Sequence, residues 1–513
     1  MNNYVFKNSD QIGSLDAETD TFLEECFVES SMYETLKKFN KDIDFTKRII
    51  VGRTGSGKTA LLKKLTQDNS IKKHAIIEAE STVFEHIKNN IFISQLLEKN
   101  IDLRVFYKSL WIHVLLVKVI EITFPSNSSF YEKIQSLVGG KKKKYNIELA
   151  QEYLDKYSDN FFNDKIVSEI TEKMQSELSG SLGGSFAKVT GKLTDEVAQK
   201  IQTETARYVS SELLRKQKEL IKIITEEASD ESQNRVIISI DDLDKSWLSS
   251  SSIRYDFINA LLDAFKELID VRSVKVLISI RTDILMGIYK TNLRQEEKDR
   301  SLIIPIEWKK NDIFDILNMR INYLIKHKYA VKTNVLFSDV FHFTVKDENA
   351  ANYIVERTML RPRDAIDFVN FCLSQGDGVS SLNEDHVFEA EEKYYNSRKN
   401  AINKEWLSRY KHISDYTDSI ALIHKREFTK EEIESDITAV MDFLMSKSTA
   451  EDDSNDENIA TNFNALLDVW FTIGLIGIKK SETLIVFSSF DKPSLDISDY
   501  NKTFLIHPLF YRV

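Results

Sequence analysis

The chain carries at residues 52–59 the octapeptide Gly52-Arg53-Thr54-Gly55-Ser56-Gly57-Lys58-Thr59, which fits the pattern G-x-x-x-x-G-K-[ST]. A β-branched run, Ile49-Ile50-Val51, precedes it, and the apolar helical run from Ala60 to Leu65 follows it. A strand, a glycine-rich turn and a helix in this order predict a loop that binds phosphate. The glycines allow backbone N–H groups to turn inward as an anion nest, and the helix directs its partially positive N-terminus at the same anion.

The residue types of this loop also predict which groups act on a nucleotide. Lys58 is expected to neutralise the β and γ oxygens, which makes it a catalytic residue, and Thr59 is expected to be a ligand of Mg²⁺. The predicted nucleotide-binding set is the continuous segment of Gly52, Arg53, Thr54, Gly55, Ser56, Gly57, Lys58, Thr59 and Ala60. An ordinary glycine-rich turn is the alternative interpretation.

A second acidic position follows far downstream, where the apolar run 236–240 ends in Asp241 and Asp242. Such a run predicts a buried parallel strand that places acids at its C-terminal edge, where ligands of open α/β sheets bind. We expect Asp241 to hold Mg²⁺ and Asp242 to position or deprotonate an attacking water. A carboxylate beside the metal ligand favours hydrolysis over transfer of the phosphoryl group to another acceptor. The alternative interpretation of these two acids is a solvated acidic turn at the end of the strand.

A third strand is predicted at 274–280, after an amphipathic helix at 255–269. Strand, helix and strand form a βαβ unit, so the tip of this strand should lie beside the tip that carries Asp241. Arg281 at that tip is the predicted sensor of the γ-phosphate. Pairing of Arg281 with Asp241 or Asp283, which would only hold the strand end, remains open.

Two further arginines precede a predicted helix, in the sequence Arg361-Pro362-Arg363-Asp364. Proline near the first turn is typical of a helix start. Either Arg361 or Arg363 is expected to reach the phosphates from a helical lid, and the sequence does not choose between them. A surface salt bridge with Asp364 or Asp367 is the alternative for each.

These motifs together resemble the ASCE branch of P-loop ATPases, near the AAA+, STAND and KAP groups. Four further stretches, at 110–113, 295–298, 303–308 and 507–510, resemble a family of bacterial P-loop ATPases, so the likeness covers nearly the whole chain. The resemblance implies an α/β P-loop NTPase parallel sheet with a long helical insertion, a helical lid and a C-terminal winged-helix-like domain. It further implies ATP hydrolysis with Mg²⁺ as a conformational or assembly switch, in a homo-oligomer, with a partner effector protein in bacterial defence against phage.

The departures from the family pattern qualify this expectation. The usual catalytic glutamate is replaced by Asp242, whose side chain is one methylene shorter, so turnover is expected to be slow. A guanine-specific N/T-K-x-D motif is not apparent downstream of the loop, which favours ATP over GTP. An ATP-dependent scaffold, or a DNA-binding regulator with little turnover, is the alternative function.

Ring-forming relatives complete their sites with a basic residue from a neighbouring subunit, near the fifth strand, predicted at 301–306. The candidates in this sequence for such an arginine finger are Arg294, Lys298 and Arg300. An exposed charge in a loop is the alternative for each.

Composition is that of an ordinary globular protein of 513 residues, with 42% hydrophobic and 29% charged residues and a net charge of −11. Two cysteines, Cys26 and Cys372, are too few for a disulfide framework and indicate a reducing, cytoplasmic location. The longest apolar run, 110–124, is interrupted by His113, Lys118 and Glu121, so no membrane contact is expected. No Cys or His spacing predicts a metal other than nucleotide-bound Mg²⁺.

The predicted organisation is an N-terminal segment at 1–30, an ATPase core at 31–308 with a mostly helical insertion at about 84–231, a lid at 309–380, a linker helix at 381–412 and a winged-helix-like domain at 413–513. The insertion either protrudes as an arm for a partner or packs against the core. Winged helices bind DNA or proteins, and the acidic composition slightly favours protein.

Overall fold

The structure is a computed structural model, and it describes residues 4–39, 46–79, 90–98, 100–124, 127–137, 144–157, 172, 174–176, 178–180, 195–227, 235–241, 243, 251–291, 296–447, 457–482 and 484–512. The chain forms two compact units. The sheet unit comprises Ser31–Val51 and Leu61–Ile304. The C-terminal unit comprises Met1–Ser30, Gly52–Ala60 and Pro305–Val513, so the predicted lid, linker helix and last domain all belong to it.

The larger sheet has five parallel strands. They are β1 (Ile49–Gly52), β2 (Lys73–Glu78), β3 (Val236–Asp241), β4 (Val274–Arg281) and β5 (Ile303–Pro305), in the spatial order β2-β3-β4-β1-β5. The predicted α/β class with a parallel sheet is therefore confirmed. The predicted adjacency of the two acid- and arginine-bearing strands is also confirmed, because Ile240 of β3 lies opposite Ile278 of β4.

Burial explains the order of the strands. Every residue of β3 and β4 before the final charged one is buried, as expected for inner strands covered on both faces. β2 alternates between more and less exposed positions, which suits an edge strand. Because the strands are parallel, Val51, Asp241 and Arg281 end at the same edge of the sheet.

The helices in the first 304 residues include several from the insertion. They are α1 (Ser31–Lys37), α2 (Lys58–Thr66), α3 (Ile91–Glu98), α4 (Arg104–Thr123), α5 (Asn127–Leu137), α6 (Lys144–Tyr157), α7 (Asp195–Tyr208), α8 (Arg215–Glu227), α9 (Ser251–Ala264), α10 (Thr282–Thr291) and α11 (Glu296–Asp299). A π-helical segment, Val209–Leu214, joins α7 to α8, and a 3₁₀ turn, Phe265–Leu268, extends α9.

Helix α4 resolves the two alternatives for its part of the insertion. Most of its residues are buried, and it packs on α9 and on strands β2 and β3. The indole N–H of Trp111 donates to the carbonyl oxygen of Phe257 in α9 at 3.1 Å. This helix therefore packs against the sheet instead of projecting as an arm.

The C-terminal unit contains the remaining elements. Its helices are α12 (Lys310–Tyr329), α13 (Phe337–Val340), α14 (Ala350–Arg357), α15 (Pro362–Gln375), α16 (Glu384–Trp406), α17 (Ile413–Ser419), α18 (Glu434–Lys447), α19 (Glu457–Thr461) and α20 (Phe463–Ile473). Its strands are β6 (Thr344–Val345), β7 (Glu348–Asn349), β8 (Glu427–Phe428), β9 (Ile476–Ser481), β10 (Leu484–Val486) and β11 (Phe504–Ile506). Short 3₁₀ turns occur at Ile420–Leu422, Lys430–Ile433 and Ile497–Asp499.

One hydrophobic core runs through this unit. It joins the lid to the linker helix, where Phe368 and Tyr394 stack with ring centroids 4.6 Å apart. The N-terminal segment enters the same core through Phe6, whose backbone N–H donates to Val379 at 2.8 Å. The last domain contributes α20 and an antiparallel sheet of order β10-β9-β11-β8, in which β9 and β10 form a hairpin. Among the described helices, none combines the length and apolar character that crossing a bilayer requires.

Candidate functional site

The glycine-rich loop adopts a backbone that requires its glycines. Gly55 and Gly57 have φ angles of +79° and +94°, which residues with a Cβ rarely adopt. A Cβ on Gly52 would lie 2.4 Å from the hydroxyl oxygen of Ser56, and one on Gly55 would lie 2.9 Å from Cβ of Arg363. The sequence pattern is thus explained by the local geometry.

Lys58 begins helix α2, and its side chain turns back over the loop. The ammonium nitrogen donates to the carbonyl oxygens of Gly52 at 3.0 Å and Arg53 at 3.2 Å. The ammonium charge of Lys58 and the partially positive N-terminus of the nine-residue helix α2 therefore both lie at this loop.

Three consecutive carbonyl oxygens of the loop accept hydrogen bonds from later residues of the same C-terminal unit. The carbonyl of Thr54 accepts from Nη1 of Arg361 at 3.1 Å, that of Gly55 from the backbone N–H of Arg363 at 3.3 Å, and that of Ser56 from the indole N–H of Trp308 at 2.8 Å. In a trans peptide the C=O and the next N–H point in opposite directions. The N–H of Gly55 therefore points away from Arg361, and that of Gly57 points away from Trp308.

The two lid arginines occupy different environments. The Arg361 residue is 4% exposed, and its Nη2 finds no hydrogen-bond partner within the described part of the chain. The side chain of Arg363 instead donates from Nε to the carbonyl of Leu15, in the N-terminal segment, at 3.0 Å. The structure thus separates two residues that the sequence left equivalent, since only Arg361 directs its guanidinium at the loop.

Glu405, near the end of α16, is a site residue that the sequence reasoning missed. Its carboxylate accepts the backbone N–H of Thr54 at 3.3 Å and lies 3.5 Å from Nη1 of Arg361 and 3.7 Å from Nε of Arg53. The residue is 4% exposed. In the sequence it is one acid among many in a charged helix, and only the following Trp406 hints at burial.

The side chain of Arg53 reaches the last domain. Its Nη2 donates to the carbonyl of Ile473, the final residue of α20, at 2.9 Å, where the negative end of the helix dipole favours a cation. The guanidinium lies over the Trp406 ring at 5.6 Å from its centroid. The sequence predicts that Arg53 binds nucleotide, whereas in the structure its side chain contacts Ile473 of the last domain and Trp406 of the linker helix.

Buried charges surround this loop. Arg398 pairs with Asp364, and both are buried with Arg361 and Glu405. Burial alone lowers the pKa of Arg398, but the carboxylates of Asp364 and Glu405 help to raise it above its usual value. The partly exposed Arg53 also lies beside Glu405, so Arg53 and Arg361 share this carboxylate.

His507 connects the C-terminal motif to the start of the lid motif. Its Nδ1 accepts the N–H of Leu509 at 3.3 Å, so Nε2 carries the proton and donates to the carbonyl of Thr358 at 3.2 Å. Burial lowers the pKa of His507 to about 4, against a smaller opposing effect of the Thr358 hydrogen bond and of Asp364. The imidazole is therefore neutral at pH 7.

In the sheet unit, Asp241 ends β3, and Glu78 of β2 lies directly opposite it in the register. Glu78 is a second acid at this edge that the sequence reasoning did not consider. Arg281 at the end of β4 forms a two-fold contact with Asp283, Nε to Oδ1 at 2.9 Å and Nη2 to Oδ2 at 2.8 Å. The pairing that the sequence left open for Arg281 is thus present.

Several predicted residues stand apart from these groups. Asp242 and Arg294 lie outside the described residues. Lys298 in α11 and Arg300 just after it are both exposed. Thr59 and Ala60 lie in the first turn of α2. Across the described segments, no three or more His, Cys, Asp and Glu residues gather as metal ligands.

Comparison with known proteins gives one match. Residues 311–403 match the FunZ-associated C-terminal helical domain, a domain associated with bacterial defence systems. The matched segment runs from α12 into α16, so it includes Arg361, Arg363 and Arg398 but stops short of Glu405. No curated protein and no solved structure matches the chain.

Proposed function

We propose that this chain is a P-loop ATPase that binds and slowly hydrolyses ATP with Mg²⁺ and uses the nucleotide as a conformational or assembly switch. The observation that carries the proposal is the loop at 52–59, in which Gly55 and Gly57 adopt positive φ and their N–H groups point away from Arg361 and Trp308. Lys58 lies over the same loop at the start of α2. This arrangement suits the β- and γ-phosphates of a nucleotide.

The lid supports the same ligand. Arg361 brings a buried guanidinium to Thr54, and its Nη2 has no hydrogen-bond partner in the described chain. A phosphate oxygen is a suitable acceptor for such a group. Arg363 contributes through its backbone and holds Gly55 in place.

The proposed metal ligands are Thr59 and Asp241, and the proposed base is Asp242. Mg²⁺ would neutralise charge that develops on the phosphate oxygens. Asp241 lies at the carboxyl edge of the sheet, where ligands of open α/β sheets bind. Asp242 accepts the proton of the attacking water in this proposal, a role that rests on its sequence position beside Asp241.

The switch function is supported by what the loop touches. Its backbone is bonded to the lid through Arg361 and Arg363 and to the linker helix through Glu405, and Arg53 contacts the end of α20. A change of loop conformation on phosphate binding acts on all three. The match to a defence-associated domain supports a role in bacterial defence, and homo-oligomerisation with a partner effector protein completes the proposal.

Phosphate release from ATP by the purified chain tests the activity, with molar mass measured by light scattering in each nucleotide state. Lys58→Ala and Asp242→Asn should each lower turnover about hundredfold or more. Lys72→Ala, at an exposed lysine beyond the same helix, is the matched control and should leave turnover unchanged. Equal turnover in the wild type and Lys58→Ala would refute a P-loop ATPase.

A nucleotide-dependent scaffold is the second candidate, because the ion pair with Asp283 holds Arg281 in a resting arrangement. A scaffold predicts ATP-dependent growth in mass with no turnover, abolished by Lys58→Ala. Added duplex DNA in a parallel assay shows whether nucleic acid stimulates turnover.

A further inference from the structure

We propose that Glu405 is a positioning residue that restrains Arg361 and Arg53 beside the phosphate loop and competes with the nucleotide's phosphates for Arg361. The proposal rests on the function proposed above, and it adds a residue of the linker helix that lies beyond the matched domain. Glu405 thus lowers the affinity for ATP until the phosphates displace it from Arg361.

The peptide units around Thr54 provide the geometric basis. The N–H of Thr54 donates to Glu405 at 3.3 Å, and its carbonyl accepts from Arg361 at 3.1 Å. Glu405 and Arg361 are themselves 3.5 Å apart. The two side chains therefore bind the N–H and the carbonyl of the same loop residue, so a movement of either side chain displaces the loop.

The charges explain why Glu405 is a competitor. Its carboxylate lies beside both the buried Arg361 and the partly exposed Arg53. A phosphate oxygen is also an anionic acceptor for Arg361, and charge-assisted hydrogen bonds of this kind are stronger than neutral ones. Nη1 of Arg361 faces Glu405, whereas Nη2 has no hydrogen-bond partner in the described chain, so a phosphate oxygen bound at Nη2 draws the guanidinium away from Glu405 and weakens that contact.

The expected gain in ATP affinity depends on the fraction of molecules in which Arg361 is released from Glu405. If Arg361 is released from Glu405 in about a tenth of the molecules, the apparent dissociation constant is about tenfold larger than the intrinsic one. Removing the negative charge of Glu405 therefore raises ATP affinity by about tenfold. A merely structural role predicts no gain in affinity.

Glu405→Gln is the direct variant, because the amide keeps an acceptor for the Thr54 N–H and removes the charge. Glu391→Gln is the matched control. Glu391 lies on the same helix and pairs with another arginine of the lid, Arg357, at 2.9 Å and with the Tyr353 hydroxyl at 2.8 Å. Glu391 thus also pairs with an arginine of the lid, but none of its hydrogen bonds within the described residues goes to the loop at 52–59.

The measurement is the dissociation constant of a fluorescent N-methylanthraniloyl ATP with Mg²⁺, with tripolyphosphate as a competitor that lacks the base and sugar. Glu405→Gln is expected to bind both about tenfold more tightly than the wild type, and Glu391→Gln is expected to match the wild type. Unchanged or weaker binding by Glu405→Gln overturns the proposal, as does an equal gain in Glu391→Gln.

A second variant is needed in case Glu405→Gln fails to fold, because this substitution leaves Arg361 and Arg53 without the Glu405 carboxylate. Glu405→Asp keeps the charge but shortens the side chain, and its affinity should fall between the wild type and the glutamine variant. Wild-type affinity or weaker in Glu405→Asp also overturns the proposal. Equal binding by the wild type and Lys58→Ala is a different result, since it refutes the proposed nucleotide site itself.

Discussion

The guanidinium of Arg361 donates to the main-chain carbonyl of Thr54 at 3.1 Å, so the lid contacts the phosphate loop through its backbone. A backbone contact does not depend on which side chain position 54 carries. It responds instead to the conformation of the loop, which is the property that we propose changes when phosphate binds. Arg363, two residues along, makes its hydrogen bond to the same loop with its own N–H.

Arg361→Lys and Arg363→Lys should therefore differ. Lysine at 361 keeps the charge but loses the guanidinium fork, so it cannot reach Thr54, Glu405 and a phosphate in the same way. We expect it to weaken ATP binding about tenfold or more in a titration with fluorescent ATP. Arg363→Lys should change the affinity less than about twofold, because its loop contact is made by the backbone. The reverse order would assign the phosphate contact to Arg363.

Gly474→Ala should destabilise the protein more than Gly378→Ala. Both glycines have positive φ, +89° and +80°, so each substitution has a backbone cost of about 1–2 kcal/mol. A Cβ on Gly474 would also lie 2.7 Å from Cε of Met359 and 3.0 Å from Nη1 of Arg53, whereas a Cβ on Gly378 meets nothing within 4 Å. The difference in urea unfolding free energy isolates this crowding. Equal losses would mean that Arg53 and Met359 move aside freely.

His507 should make the C-terminal unit less stable in mild acid. Its folded pKa is about 4, below the ordinary value of 6.5, so the unfolded chain takes up a proton between these values and the folded chain does not. The stability due to the neutral imidazole is therefore complete above pH 6.5 and is lost as the pH falls toward 4. The full loss is about 3 kcal/mol.

His507→Gln is the comparison that measures this contribution. The difference in unfolding free energy between the wild type and this variant should shrink by about 3 kcal/mol from pH 7 to pH 4. Asp367 acts in the opposite direction, because burial raises its pKa to about 6, but it is present in both proteins and cancels. A pH-independent difference would show that folding does not lower the pKa of His507.

Arg281→Ala should lower ATP turnover about hundredfold without a similar loss of ATP binding, if Arg281 leaves Asp283 to stabilise the transition state. Arg272→Ala is the matched control, since Arg272 is exposed just before β4, away from its carboxyl end. Steady-state turnover and single-site binding are measured on the same preparations. Unaltered turnover in Arg281→Ala would reduce Arg281 to a residue that holds the strand end.

The sheet and its strand neighbours were predictable because they depend on local patterns. A β-branched run ending in acids predicted β3, and the βαβ rule placed β4 beside it. The loop was predictable for the same reason, since its glycines and lysine act within one short segment. Each of these signals lies within a few residues of the structure that it specifies.

Glu405 was not predictable because its partners are distant in the sequence. Arg53 and Thr54 lie more than three hundred residues before it, and nothing in α16 separates it from Glu391 or Glu392. The same holds for Glu78, which faces Asp241 only through the register of two strands. The pairing of Arg281 with Asp283 is local, and the sequence offered it as one of several choices.

Helix α4 has a practical consequence for anyone who trims this chain. Its apolar residues cover β2 and β3, and Trp111 is bonded to the helix that follows the Asp241 strand. A fragment from which the whole insertion is removed would expose this face to water and aggregate. A minimal folded fragment must therefore retain 104–123, and fluorescent reporters or affinity tags belong elsewhere in the insertion.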